Sequence, residues 1–394
     1  MKTRALLGIT SHGNAPYLMA ARFARALGGH PIVLPHYYGE TQIAILREEI
    51  PEMSTRIYLS RELGELFRPL LLDAGNGMSF SEFGALLARN DHPFSACAIE
   101  NRCNTMLEEG IPAVSLDGKE QRCFGRDDLA AVINTTLPIR VNLPRSYFFF
   151  TARMSDLYGL APEGDDSLET QDAVSALQPY AKLWKEVEES FDLEFIPRIN
   201  AFSYRPDPKD PKVIQTPPFA FTRPEVQILK RESLLFVPSG TRTDIRKLRQ
   251  IGDTIPPEFD RLVLGSKGLN GDFPEDQYRH VGANIFGDPL LKGVISRGGW
   301  GTIWECLANN KPAALVCTSF AEDPEMGHTQ RTMSELGLAA IINGSAGSYL
   351  TGSTRERIIT GMNQEREKDI KEFGNYASDG YGYIASKIHE TDDL

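Results

Sequence analysis

The segment Gly293-Val-Ile-Ser-Arg-Gly-Gly-Trp-Gly-Thr-Ile-Trp-Glu-Cys-Leu-Ala-Asn-Asn-Lys-Pro-Ala-Ala-Leu-Val316 carries the clearest fold signal of the sequence. An apolar run over 293–296 predicts a buried strand, the glycines within 298–301 predict a turn, and a helical pattern follows over 302–309. A second apolar run over 313–317 completes a strand–turn–helix–strand unit. Such units are typical of α/β proteins with a parallel sheet.

The same alternation extends in both directions along the chain. Further strands are predicted at Ala5–Ile9, Pro31–Leu34, Ser95–Ile99, Ile111–Leu116, Leu234–Val237, Leu262–Leu264 and Ala339–Ile342. Helices are predicted at 16–27, 41–49, 60–72, 80–89, 102–109, 242–250, 328–336 and 354–373. The region 138–225 is less regular and ends in a proline-rich stretch, which indicates a linker. We therefore expect two α/β domains with a boundary near residue 225.

Length, charge and cysteine content exclude several classes of protein. At about 150 residues per domain, 394 residues indicate two or three domains. The net charge is −11, whereas proteins that bind nucleic acids usually carry a basic surplus, so we expect no nucleic-acid partner. The five cysteines form no Cys-x-x-Cys pair, which argues against a disulfide framework or zinc site and favours the cytoplasm. No run of about 18 apolar residues occurs, so no membrane span is expected.

The glycine turn has the chemistry of an anion site. Gly298, Gly299 and Gly301 allow close backbone approach, and the free N–H groups of the following helix point toward the turn. Arg297 would add a positive charge beside it, and the carboxylate of Glu305 could accept two hydroxyls of a ribose. The expected ligand is a phosphate or diphosphate. The alternative is a capping box that starts the helix, with Thr302 at the N-cap and Glu305 at the third position.

A longer pattern around this turn resembles a known signature. It reads Ser296-Arg297-Gly298-Gly299-Trp300-Gly301-Thr302-x-x-Glu305, then Lys311-Pro312, Gly327-His328-Thr329-Gln330 and Glu335-Leu336-Gly337. The pattern is similar to the donor-binding signature of GT-B glycosyltransferases, in particular the UDP-glycosyltransferase family and the peptidoglycan-precursor N-acetylglucosaminyltransferase family. The resemblance implies two Rossmann-like domains facing each other across a cleft. These would be an acceptor domain at 1–225, a donor domain at 226–372, and a tail at 373–394 that crosses back to the first domain.

The resemblance also implies roles for individual donor-binding residues. It places the donor diphosphate at Arg297, Gly298, Gly299, Gly301 and Thr302, and the ribose at Glu305. Trp300 is also expected among the donor-binding residues. The turn Ser239-Gly240-Thr241 resembles the second diphosphate loop of the family, with a plain turn as the alternative. Phe286 falls at the nucleobase loop, with a core position as the alternative. Glu325 and Gln330 fall near the positions that read sugar hydroxyls, and a solvated acidic loop is the alternative there.

The catalytic base is expected in the first strand-to-helix turn. His12 resembles the histidine of the family's Gly-His-x-x-Pro element, although it precedes Pro16 by four residues instead of three. Glu100 would orient its imidazole and stabilise the cation. The alternatives are a structural or acceptor-binding histidine and a solvated glutamate. Acceptor contacts are expected from Asn14, Asn101 and Arg102.

Taken together, the resemblance implies inverting transfer of a hexose-type sugar from a nucleoside-diphosphate sugar, a UDP-sugar, to an acceptor hydroxyl. The acceptor would be a small molecule, a lipid or a glycan, and peripheral membrane association stays open. No Asp-x-Asp motif occurs, so we expect a metal-independent enzyme without a further cofactor. The alternatives are an epimerase or hydrolase of nucleotide sugars on the same fold, and a non-catalytic sugar-binding or nucleotide-binding protein. A dinucleotide oxidoreductase is disfavoured because no Gly-x-Gly-x-x-Gly follows a strand.

Overall fold

A computed structural model describes residues 3–10, 14–67, 95–135, 138–150, 152–161, 167–204, 212–220, 222–238, 242–265, 273–344, 349 and 352–391. The strands are β1 (Ala5–Thr10), β2 (Ile32–Pro35), β3 (Ile57–Ser60), β4 (Ile111–Ser115), β5 (Gln121–Phe124), β6 (Leu129–Thr135), β7 (Ser146–Phe149), β8 (Leu193–Pro197), β9 (Val213–Thr216), β10 (Ser233–Val237), β11 (Asp260–Leu264), β12 (Arg279–Val281), β13 (Leu291–Ser296), β14 (Ala313–Val316) and β15 (Ala339–Ile342). The helices are α1 (Asn14–Ala26), α2 (Gly39–Glu49), α3 (Ala96–Glu109), α4 (Met154–Gly159), α5 (Leu168–Glu188), α6 (Arg242–Asp253), α7 (Trp300–Ala308), α8 (Pro324–Glu335), α9 (Gly352–Phe373) and α10 (Gly380–Thr391). Residues 61–67 are also helical.

The first sheet has the order β5-β4-β3-β2-β1-β6-β7-β8-β9 within the described residues. Its strands are parallel except β4, which runs antiparallel to both of its neighbours. Leu7 of β1 pairs with Val33 on one side and Val132 on the other. Every residue of β1 and β6 is buried, as expected for parallel strands covered on both faces. This sheet and the helices on it form the first domain.

The second sheet has the order β12-β11-β10-β13-β14-β15, and all its strand pairs are parallel. The chain builds outward from β10 to β12 and then returns to add β13 on the other side of β10. The carboxyl ends of β10 and β13 therefore adjoin, with Val237 paired to Ser296. In open α/β sheets, ligands bind in the crevice at such a switch point. This sheet and its helices form the second domain.

The chain passes between the domains twice. It first crosses between β9 and β10, and it later returns through α10, which packs against α1 and β9 of the first domain. Tyr381 and Ile388 of α10 are buried, and the Tyr381 hydroxyl donates to the Phe219 carbonyl at 3.1 Å. Among the helices that the structure describes, none is long and apolar enough to span a membrane.

The predicted α/β class with parallel sheets is confirmed, but two local predictions are wrong. The predicted strand over Ser95–Ile99 is the start of α3, and the Ser95 hydroxyl caps it by accepting from the Ala98 N–H at 3.2 Å. A short apolar run fits a buried helix as well as a strand, which explains the error. The region 138–225 is also more regular than predicted, because it supplies β7, β8 and β9 to the first sheet. The helix predicted at 80–89 lies outside the described residues.

Candidate functional site

The glycine turn links the end of β13 to the start of α7 at the switch point of the second sheet. Gly298 has φ +116°, a backbone conformation that residues with a Cβ rarely adopt. Gly299 is the N-cap of α7, so the helix begins at Trp300, and the capping box predicted at Thr302 does not form. The N–H groups of Trp300 and Gly301 open the helix and have no carbonyl one turn earlier within it, whereas the Thr302 N–H donates to the Gly299 carbonyl at 3.0 Å. The N–H groups of Trp300 and Gly301 could therefore bind an anion at the carboxyl edge of the sheet.

Arg297 is held by an acidic residue from the next loop. Its guanidinium donates to the carboxylate of Asp323, and the two side chains are 16% and 11% exposed. Asp323 is also the N-cap of α8, where its side chain accepts from the Met326 N–H at 3.3 Å. The ion pair thus joins the loop after β13 to the loop after β14.

Gln330 and Trp300 fasten the same two loops. The Gln330 amide accepts from the Thr318 N–H at 3.1 Å and donates to the Val316 and Arg297 carbonyls at 2.7 and 3.3 Å. The indole N–H of Trp300 donates to the Thr329 hydroxyl at 2.8 Å, and both side chains are buried. The amide that the sequence suggested for sugar recognition therefore binds backbone groups in this structure.

Glu305 belongs to a cluster of four buried charges that joins the two domains. We call this set the interdomain ion cluster; its members are Arg22 of α1, Glu49 of α2, Arg223 between the sheets and Glu305 of α7. Arg223 donates to Glu305 at 2.8 and 3.2 Å and to Glu49 at 3.1 Å. Arg22 lies 2.6 Å from Glu49 and 3.6 Å from Glu305. All four side chains are at most 11% exposed.

The charges of this cluster balance one another. Burial works to raise the pKa of Glu49, but Arg22 and Arg223 together hold it below its usual value. Burial likewise works to lower the pKa of Arg223, and the two carboxylates raise it well above its usual value. Glu49 and Arg223 are therefore charged in the folded protein, and removing either would leave a buried charge without its partner.

The sequence matches no curated protein. Residues 292–373 match the sequence model of the glycosyltransferase family 28 C-terminal domain. TcCGT1 in complex with UDP aligns with 99% of this chain and 100% of its own, at a TM-score of 0.59 and 13% identity. UGT2 of Phytolacca americana, complexed with UDP-2fluoro-glucose and pterostilbene, aligns over 98% of this chain and 99% of its own, at a TM-score of 0.55 and 14% identity. A UDP-glucosyltransferase of Polygonum tinctorium that is capable of glucosylating indoxyl aligns over 99% of both chains, at a TM-score of 0.56 and 14% identity.

The chain has the GT-B fold. Both the segment matched by the family model and the glycine turn lie in its second domain. In this GT-B structure the starts of α1 and α7 meet, because a Cβ built on Gly301 would lie 3.2 Å from the Cβ of Ala15. The first turn of α1 in the first domain therefore lies against the start of α7 in the second.

Several predicted site residues lie outside the described residues: His12, Ser239, Gly240 and Thr241. The side chain of Asn14, the first residue of α1, is likewise not described. Glu100 lies in the first turns of α3, where its carboxylate accepts from the Arg140 N–H at 2.9 Å, and burial raises its pKa. Asn101 and Arg102 are exposed on the same helix.

Two predicted donor residues differ in their exposure. Phe286 is 1% exposed and packs in the core from a short helix over Ala283–Gly287. Glu325 lies in the first turn of α8 and is half-buried.

No group of three or more His, Cys, Asp or Glu side chains in the described part of the chain is placed to hold a metal ion.

Some residues of this region were missed by the sequence reasoning. Asp323 is buried, and the following proline marks it as a helix N-cap. His328 is fully buried between the domains, with its ring nitrogens 2.9 Å from the Leu160 carbonyl and 2.7 Å from the Tyr204 hydroxyl. The sequence carries no signal for these contacts, because their partners are more than a hundred residues away.

Proposed function

We propose that this chain transfers a hexose-type sugar from a nucleoside-diphosphate sugar to an acceptor hydroxyl. The observation that carries the proposal is the glycine turn, in which Gly298 has φ +116° and α7 begins at the switch point of the second sheet. The turn lies in the segment that matches the glycosyltransferase family 28 C-terminal domain. UDP is the proposed nucleotide, since two of the similar structures hold UDP or a UDP-sugar.

The proposed reaction is a single displacement. The acceptor oxygen attacks the anomeric carbon, the bond from that carbon to the diphosphate oxygen breaks, and the configuration inverts. His12 takes the acceptor proton, and Glu100 stabilises the resulting imidazolium. The first-turn N–H groups of α7 and the guanidinium of Arg297 stabilise the charge on the leaving diphosphate, which is the role a metal ion would otherwise fill.

The domains have different roles in this proposal. The first, assigned to residues 1–225, binds the acceptor and holds the base, and the second, assigned to 226–372, binds the donor. The contact between Ala15 and Gly301 supports this division, because it brings the residue three positions after His12 beside the donor turn. Residues 373–394 are assigned to the tail that packs back on the first domain. The proposed acceptor is a small molecule, lipid or glycan, and the proposed location is the cytoplasm.

A binding and turnover experiment tests the proposal. The protein is titrated calorimetrically with UDP, dTDP and GDP, then incubated with the matching sugar nucleotides with and without a panel of acceptors. We expect UDP binding, and sugar transfer that requires acceptor. Donor consumption without acceptor would indicate the epimerase or hydrolase, and binding without any turnover would indicate a non-catalytic protein.

His12→Ala separates binding from chemistry. We expect it to keep UDP binding and to lose transfer by about 100-fold or more, which is the usual contribution of a general base. His30→Ala is the matched control, because that ring contacts the carbonyl of Arg4, which immediately precedes the amino end of β1. Equal transfer rates in the two variants would remove His12 from the mechanism.

A further inference from the structure

The guanidinium that is proposed to meet the donor diphosphate already has an anionic partner. Arg297 donates to the carboxylate of Asp323, and both side chains are largely shielded from water. Asp323 is fixed independently of this pair. Its backbone N–H donates to the Ser319 carbonyl at 3.1 Å, and its side chain caps α8 by accepting from the Met326 N–H at 3.3 Å. The carboxylate therefore stays in place when Arg297 moves.

The chemistry of the two partners is the same. A carboxylate and a phosphate both accept from the planar fork of a guanidinium, so they compete for one set of N–H donors. A bound diphosphate would also lie near the fixed charge of Asp323. Glu322 and Glu325 add negative charge to the same loop, and Glu322 has its own cation in Lys247 at 3.6 Å.

We propose that Asp323 is a positioning residue that acts as a resident counter-anion. It holds the guanidinium of Arg297 at the carboxyl edge of the second sheet, and donor binding exchanges its carboxylate for the diphosphate. Because the carboxylate of Asp323 must be displaced, the exchange lowers the affinity for the nucleotide. Only an anion of higher charge than a carboxylate displaces Asp323. This inference rests on the proposed function, because it takes Arg297 as a diphosphate ligand.

Calorimetric titration with UDP tests the exchange. Asp323→Asn removes the charge and keeps a good N-cap residue. Glu322→Gln removes the same charge at the adjoining, 54% exposed residue and is the matched control. At low salt we expect Asp323→Asn to bind UDP roughly five to ten times more tightly than wild type, by the energy of one partly screened charge. Glu322→Gln should stay within about twofold, since exposed charges are well screened.

A second comparison isolates the guanidinium. In the Arg297→Gln background, adding Asp323→Asn should tighten UDP binding by less than it does in wild type, because no guanidinium has to be released and only the repulsion between Asp323 and the diphosphate is relieved. If Asp323→Asn proves unstable, Asp323→Ser supplies another uncharged cap. If wild type binds UDP and Asp323→Asn binds it equally well or more weakly, the inference is overturned and the proposed function is not. Absence of UDP binding in every variant would overturn the proposed function, and the inference with it.

Discussion

At the scale of single residues, Gly298 decides whether the turn that is proposed to bind the diphosphate can form. Its φ of +116° lies where a Cβ clashes with the backbone, so any other residue strains the turn. The space around it is not the obstacle, because a Cβ there would have ordinary contacts with Leu315 and Met326. The constraint is therefore conformational, and a substitution alters the direction of the backbone N–H groups that follow.

Gly298→Ala is expected to weaken UDP binding at least tenfold and to lower the free energy of unfolding by about 1–3 kcal/mol. Gly344→Ala is the matched control, because Gly344 also has positive φ, at +79°, but is not part of the turn. We expect it to lose stability and to keep UDP affinity. Calorimetry and thermal unfolding measure the two effects, and equal UDP affinity in both variants would contradict the role of the turn.

Glu188 is the residue from which we expect the clearest pH dependence of stability. It is buried at the end of α5, accepts from the Met154 and Ser155 N–H groups, and burial raises its pKa to about 8. The folded protein therefore keeps a proton that the unfolded chain releases above about pH 4.3. Stability from this group is complete below that pH and is lost as pH rises through about 8.

Glu188→Gln removes this titration. Relative to wild type, the variant should gain stability between about pH 5 and pH 8, by at most about 1.4 kcal/mol per pH unit. Melting temperatures across that range measure the difference. Glu189→Gln, at the exposed neighbour, should show no such trend. A pH-independent difference between Glu188→Gln and wild type would show that the carboxyl is ionised throughout.

At the scale of elements, the sequence predicts the second domain better than the first. The strands β13 and β14 and the helix between them lie within two residues of their predicted bounds, because buried parallel strands are continuous apolar runs and the glycines mark the turn. The strands β7, β8 and β9 were missed, because their place in the first sheet depends on partners distant in sequence. The interdomain ion cluster was missed for the same reason.

Arg223 lies within 3.1 Å of both carboxylates of this cluster, whereas Arg22 is 3.6 Å from Glu305. Arg223→Met should therefore destabilise the protein by about 3–5 kcal/mol, since it leaves two buried carboxylates with one cation. Arg231→Met is the control in the same connecting segment, where a 49% exposed side chain pairs with Asp260, and it should change stability by less than about 1 kcal/mol. Urea denaturation measures both, and similar midpoints would show that the cluster contributes little.

At the scale of the whole molecule, several sets of contacts between described residues hold the domains together. They are the interdomain ion cluster, the buried His328 on α8, and α10, which belongs to the second half of the chain but packs on the first domain. Arg198 after β8 adds ion pairs to Glu365 and Asp369 of α9, each at 2.7 Å. The starts of α1 and α7 are thereby held against each other.

Ile388 tests the contribution of α10. It is fully buried against the first domain, so Ile388→Ala should cost about 2–5 kcal/mol of stability. Ile370→Ala on α9 is the control, because that side chain is 53% exposed and should cost less than about 0.5 kcal/mol. Thermal unfolding compares them, and equal melting temperatures would mean that α10 is not part of the cooperative fold.

A crystal structure of the protein with UDP tests the central claim most directly. We predict that the diphosphate lies within hydrogen-bond distance of the backbone N–H groups at the start of α7, beside Gly298 and Gly299. The guanidinium of Arg297 should then donate to the diphosphate and no longer to the carboxylate of Asp323. UDP bound elsewhere in the molecule, with the glycine turn left empty at saturating concentration, would contradict the account.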